Sequence, residues 1–148
     1  MALIPESSEN LKSIDAKGRF AIPSRIRKLL QDEILAVIKG FNGCLFAYSQ
    51  DKWLDIKERL EKPSFNAEHI KRSRVIGATM EEVEIDKQGR ILLSKGLMEY
   101  AGLKPNSSVL VNYAFDRIEI WQIEKFRENV ESKISDDDYE KMLQSLFE

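Results

Sequence analysis

Polar and apolar positions alternate along much of the chain in short period-2 runs separated by turn residues. Ile14 leads into a polar turn and Phe20 and Ile22 alternate out of it; Val83 and Ile85, then Ile91 and Leu93, repeat the pattern further on. That spacing predicts half-buried strands on either side of each turn. Pro23 suits the first turn of a helix, where its missing N–H would have no partner, and Ile26, Leu29 and Leu30 give that helix an apolar stripe. A hairpin is expected at Phe41-Asn42-Gly43, because Asn-Gly readily adopts positive φ, and its counterpart at Ala114-Phe115-Asp116. Ser49 or Asp51 can cap a helix that carries Trp53, Ile56 and Leu60 and stops before Pro63. Asn66 can cap another that runs toward Gly77 and bears Lys71, Arg72 and Arg74. Near the end, Ser135 and Asp138 make an approximate capping box for a helix striped with Tyr139, Met142, Leu143, Leu146 and Phe147. The stripe can pack on the body of the protein or on a neighbouring subunit.

These elements occur twice. KSIDAKGRFAIPSRIRKLL from Lys12 aligns with VEIDKQGRILLSKGLMEYA from Val83, matching Asp15 to Asp86, Gly18 to Gly89 and Arg19 to Arg90 at a constant offset of 71 residues. ILAVIKGFNGCLFAYSQDKW from Ile34 then corresponds to SVLVNYAFDRIEIWQIEKF from Ser108, with Tyr48 opposite Trp121 and Trp53 opposite Phe126. A self-similar period of this kind marks a repeated supersecondary unit. The repeat divides the chain into 11–78, the first unit with a linking helix; 79–127, the second; and 128–148, an amphipathic helical tail.

Composition narrows the chemistry. With 148 residues, 43% of them hydrophobic and 32% charged, the chain can bury a core as one domain or two intimately packed halves. The opening MALIPESSEN has neither a basic nor a long apolar region, and the apolar run Ile34–Ile38 is far short of a membrane span, so a cytosolic protein without membrane contact is expected. One cysteine, Cys44, and one histidine, His69, leave no Cys/His metal set, and His69 reads as an ordinary helix residue. The Asp136-Asp137-Asp138 run lacks the spaced ligands and glycine of a calcium loop and suits a helix N-terminus instead. No paired carboxylates, nucleophile with a base or phosphate loop emerges, so neither an enzyme nor a cofactor is expected.

The net charge of −2 conceals an asymmetry: residues 11–74 carry +6 and residues 75–148 carry −6. Lys12, Lys17, Arg19, Arg25, Arg27 and Lys28 stand against the single acid Asp15 in the first strand–turn–helix unit. Such a local field attracts phosphate although the whole chain is acidic; a solvated basic face is the plainer reading of charge alone. The turns sharpen it. An aspartate opening a tight turn accepts N–H bonds from the residues after it, and glycine supplies the positive φ. The resulting stiff hairpin aims Arg19 or Arg90 from the head of the returning strand, with Lys17 or Lys87 at its tip. A two-stranded ribbon fits the DNA major groove, where arginine can give two hydrogen bonds to guanine O6 and N7. The competing reading is a structural turn whose Asp and Arg satisfy only each other.

The segment IDAKGRFAIPSRIRKLL resembles the DNA-binding half of the AbrB-like swapped-hairpin group. Two such units, with NGCLFAYSQDKW in the first and VEIDKQGRILL and RIEIW in the second, resemble the MraZ family of bacterial transcriptional regulators over roughly residues 11–127. The resemblance implies an α+β, mainly β fold: a double-split, swapped-hairpin β-barrel capped by short helices. It also implies closed homo-oligomeric rings, association with the nucleoid, and binding to repeated promoter elements ahead of the division and cell-wall gene cluster, the regulator's own gene included. Residue by residue, it places Asp15, Lys17, Gly18 and Arg19 in one DNA-facing hairpin and Asp86, Lys87, Gln88, Gly89 and Arg90 in the other. Basic residues that assist in the wider group fall here on Lys12, Arg27 and Lys28. Their second-half counterparts are Val83, Met98 and Glu99, and Ser94 replaces Pro23, which assigns most DNA contact to the first hairpin. A second function class stays open: an antitoxin-like or scaffold module of the same fold that docks a protein through its acidic half or tail.

Overall fold

A computed structural model describes residues 1–30 and 33–148. Its strands are β1 (Leu11–Ser13), β2 (Arg19–Ala21), β3 (Ile34–Lys39), β4 (Leu45–Tyr48), β5 (Glu81–Glu84), β6 (Arg90–Leu92), β7 (Ser108–Tyr113) and β8 (Ile118–Trp121). Six form an antiparallel sheet in the order β1-β7-β8-β4-β3-β5, and β2 and β6 form a separate antiparallel ribbon. Helices α1 (Ser24–Arg27), α2 (Gln50–Glu61), α3 (Ala67–Thr79), α4 (Lys95–Ala101), α5 (Ile123–Asn129) and α6 (Asp136–Leu146) complete it. The fold is thus mixed, with most of its strands in one large antiparallel sheet and helices around it, consistent with the split barrel that the resemblance implies.

Both faces of the six-stranded sheet are covered, which explains the unbroken apolar run in β3. Leu35 and Val37 join Leu45, Ala47, Val109, Val111, Ile118 and Ile120 in a core closed on the other side by Phe20 and Ile91 of the ribbon. Ala36 and Ile38 face the opposite way, into a second core with Phe46, Trp53, Leu110, Trp121 and Phe126. Alternation sends one set to each side. Each fully buried Leu or Ile contributes roughly 1.5–3 kcal/mol relative to exposure. Cys44 belongs to the second core. Burial first, and the Glu119 carboxylate second, push its thiol up to about 12, so it stays a protonated packing residue at neutral pH.

Several local expectations hold in detail. Asn42 and Gly43 have φ of 58° and 79° in the first hairpin, and Phe115 has φ of 67° in the second, where Ala114 N–H donates to Arg117 O at 2.8 Å. Ser49 caps α2 by accepting from Lys52 N–H, and Asn66 caps α3 by accepting from Glu68 and His69 N–H. The Ser135–Asp138 capping box is complete in both directions. Tyr48 packs on Trp53 and Trp121 on Phe126, the same ring pair in each repeat.

Three expectations change. Pro23 is extended (φ −52°, ψ 137°) and stands just outside α1, its carbonyl accepting from Ile26 and Arg27 N–H. Because α1 lasts only four residues, its stripe is short: Ile26 is buried, Leu30 is half-buried against the core and Leu29 is exposed. Of the two places open to the apolar stripe of α6, packing on the body of the same chain is not seen among the described residues: Tyr139, Met142, Leu143, Leu146 and Phe147 are all exposed. α3, expected to run toward Gly77, reaches it and ends at Thr79.

Candidate nucleic-acid interface

Each Asp-x-x-Gly-Arg segment closes the same turn. Asp15 Oδ1 accepts from Lys17 N–H and Arg19 N–H, both at 2.9 Å, and Oδ2 accepts from Arg19 Nε at 3.0 Å. Backbone bonds from Asp15 N–H to Arg19 O (2.8 Å) and from Gly18 N–H to Asp15 O (3.0 Å) complete it. In the second copy Asp86 Oδ1 accepts from Gln88 and Arg90 N–H at 2.9 Å, and Oδ2 from Arg90 Nε at 3.1 Å. Gly18 and Gly89 sit at φ of +89° and +79°, a region that a Cβ makes costly. The aspartate therefore buttresses the turn and also grips the arginine.

That grip leaves chemistry to spare. Each arginine commits Nε to its aspartate, and the terminal Nη atoms of Arg19 and Arg90 have no hydrogen-bond partner among the described residues. Their side chains are 33% and 30% exposed. The plainer reading, in which Asp and Arg satisfy only each other, accounts for one nitrogen of three.

The strands differ from the simplest expectation in their partners. β1 and β2 flank the first turn but do not continue as a two-stranded ladder: Ile14 N–H donates to Ser107 O, β1 pairs with β7, and β2 pairs with β6 from the other repeat. The ribbon thus takes one strand from each half. Its register sets Arg19 opposite Leu92, Phe20 opposite Ile91 and Ala21 opposite Arg90. Phe20 and Ile91 face the core at 1% exposure, so Arg19, Ala21, Arg90 and Leu92 share the outer face. Arg19 and Arg90 are diagonal neighbours there, a relation that sets such residues about 7–8 Å apart along the backbone. The exposed Leu92 between the turns carried no signal in the sequence beyond its place in the period-2 pattern.

The remaining sequence-selected residues are spread around this ribbon. Lys17, Lys87 and Gln88 are exposed on the turns; Lys12 lies on β1 opposite Val109; and Lys28 follows α1, exposed. Arg27 is exposed but does not extend the first turn: its guanidinium lies against Gly89, in the second. Under the first turn an open cavity of about 400 Å³ is lined by Gly18, Leu92, Met98 and Leu103 among others. No group of three or more His, Cys, Asp or Glu placed to hold a metal occurs among the described residues, nor is any helix among them long and apolar enough to cross a membrane.

The hydrogen bonds to Asp15 lower its carboxyl below the usual aspartate range, the Arg19 backbone N–H most and the Arg19 side chain and Lys17 N–H also, against an opposing effect of partial burial. Asp86 is lowered likewise, first by Arg90 N–H and then by Gln88 N–H and the Arg90 side chain. Since the folded-state pKa lies below the unfolded value of about 3.9, the turns' ionic contribution is whole above that value and fades as pH falls through the folded one. Urea melts should therefore show a stability gap between the protein and its Asp15→Asn/Asp86→Asn variant that is constant from about pH 5 to 8 and shrinks below about pH 4. A gap that stays constant down to pH 3 would show that the carboxylate charge contributes nothing.

The chain as a whole is similar to known proteins. A family model described as "MraZ protein, putative antitoxin-like" matches residues 7–74 and again 76–147. A protein of Acetivibrio thermocellus named "Transcriptional regulator MraZ" is 39% identical over 115 residues, 77% of this chain and 78% of its own. One of the same name from Desulforamulus reducens is 40% identical, with 83% of this chain and 86% of that one covered, and one from Desulfitobacterium hafniense is 43% identical, with 76% and 78% covered.

Proposed function

The chain belongs to the MraZ family, and on that premise we propose that it is a sequence-specific, DNA-binding transcriptional regulator and not an enzyme. It reads repeated promoter elements upstream of the division and cell-wall gene cluster, its own gene among them, through the Asp15–Arg19 and Asp86–Arg90 turns. One observation carries this reading: two copies of a stiff turn hold Arg19 and Arg90 on one outer face of a two-stranded ribbon, each with terminal nitrogens to spare. The ribbon's dimensions suit a major groove, and the lysines at the turn tips suit the phosphates beside it.

The working form is a ring-shaped homo-oligomer in the cytoplasm, associated with the nucleoid. The exposed apolar face of α6 supports self-association. Several weak ribbons on one ring gain affinity for tandem repeats through effective concentration, without any new contact. The same exposed face favours a second reading, a scaffold or antitoxin-like module that docks another protein.

Fluorescence anisotropy separates the two. The test compares a duplex from upstream of the chain's own gene with a shuffled duplex, at two salt concentrations. Tight, salt-sensitive preference for the upstream duplex is expected; equal or absent binding overturns the regulator reading in favour of the interaction module.

A further inference from the structure

The two turns are near-copies, but what lies over them is not. The chain leaving β2 crosses to the other repeat, where Ile22 N–H donates to Gly89 O at 2.8 Å. It then enters α1, whose Arg27 rests on the second turn: a Cβ on Gly89 would stand 2.6 Å from Arg27 Nη1, 3.2 Å from Cζ and 3.3 Å from Cδ. At the first turn, a Cβ on Gly18 would meet Leu92 Cδ1 at 3.5 Å and Met98 Cε at 3.9 Å. Met98 is the repeat counterpart of Arg27, and Glu99 that of Lys28.

The repeats have therefore exchanged their helices. The second turn carries its own Lys87 and Arg90 together with Arg27, and Lys28 follows next in the chain. Asp86 is already engaged by Arg90, so the cluster holds more positive than negative charge at one point. The first turn, with Lys17 and Arg19, has thioether and carboxylate neighbours instead, and its nearby Lys95 faces Glu99 at 4.0 Å. Arg27, which the sequence order groups with the first turn, thus adds its charge to the second.

Resting on the DNA-binding reading above, we propose that Arg27, which the chain order groups with the first turn, serves the second turn instead as a phosphate contact acting together with Lys87. Arg27 sits on the turn and not on the ribbon face that carries Arg90, the place where a duplex presents its backbone to a ribbon lying in the groove. A phosphate there also relieves the repulsion among the three cations.

The glycines supply a matched test. Alanine at Gly18 or Gly89 imposes the same positive-φ strain, but only Gly89→Ala drives a methyl into Arg27, whose flexible end can swing away without unfolding the chain. Anisotropy salt series on the full chain, with the upstream and shuffled duplexes, should show Arg27→Gln weakening both equally and lowering the log K against log salt slope by about one. Arg27→Gln should be non-additive with Lys87→Gln and additive with Lys17→Gln. Gly89→Ala should weaken binding more than Gly18→Ala, and the excess should vanish in the Arg27→Gln background. If the unaltered chain binds DNA but Arg27→Gln keeps the full slope, or couples to Lys17 and not Lys87, the assignment is overturned while the regulator reading stands. Failure of the unaltered chain to bind either duplex overturns both.

Discussion

Replacing Arg19 and Arg90 together by alanine is expected to leave a folded protein that still binds DNA but no longer tells the upstream duplex from a shuffled one. Each guanidinium is clamped through Nε by an aspartate that the turn backbone itself holds, so its remaining fork is presented without the usual loss of side-chain freedom. A two-donor contact to guanine discriminates by about 1–3 kcal/mol, which is roughly a five- to 150-fold loss of preference for each arginine removed. Their diagonal separation of about 7–8 Å spans close to two base-pair steps at about 3.4 Å each, so one ribbon can read two nearby bases in one groove. Lysine replacements sharpen the experiment, because lysine keeps the charge and loses the fork. Arg19→Lys/Arg90→Lys should keep the salt slope yet lose the discrimination. Uniform weakening on every duplex, with the preference intact, would assign both arginines to phosphate instead.

The turn was legible because everything it needs is local. Asp15, Gly18 and Arg19 lie within five residues, and an aspartate that accepts the following N–H groups produces the same geometry wherever the pattern occurs, which is why the second copy repeats it to within 0.1 Å in the arginine Nε distances. The caps on α2, α3 and α6 were legible for the same reason. Strand pairing was not. Alternation tells which face a residue takes and is silent about the neighbour. With two near-copies of each strand, β2 could pair within its own repeat or with β6; only the shared core of Phe20 and Ile91 decides for the latter. Arg27 follows from that choice: its place in the chain puts it with the first turn, and the crossing of Ile22 onto Gly89 puts it with the second. The short α1 likewise left Leu29 outside a stripe that its spacing predicts.

Phe20→Ala should be the most destabilising single change in the ribbon. Phe20 is 1% exposed, is among the largest side chains that are fully buried, and closes the core from the ribbon side against Ile91. Losing a buried phenyl ring costs about 3–5 kcal/mol, a large part of the 5–15 kcal/mol that ordinarily holds a domain together. Urea unfolding should show the midpoint fall with little change in slope, whereas Ile91→Val should cost only about 0.5–1.5 kcal/mol. The effect reaches the outer face as well. Arg19 flanks Phe20 in a three-residue strand and Arg90 flanks Ile91 in another, so what seats the two apolar side chains also fixes the line along which the two arginines point. Phe20→Ala, assayed at a temperature where it remains folded, should therefore lose duplex discrimination although no DNA-facing group has been removed, and Ile91→Val should keep most of it. Full discrimination in a folded Phe20→Ala protein would mean that the Asp15 and Asp86 turns alone aim the arginines, without help from the core beneath them.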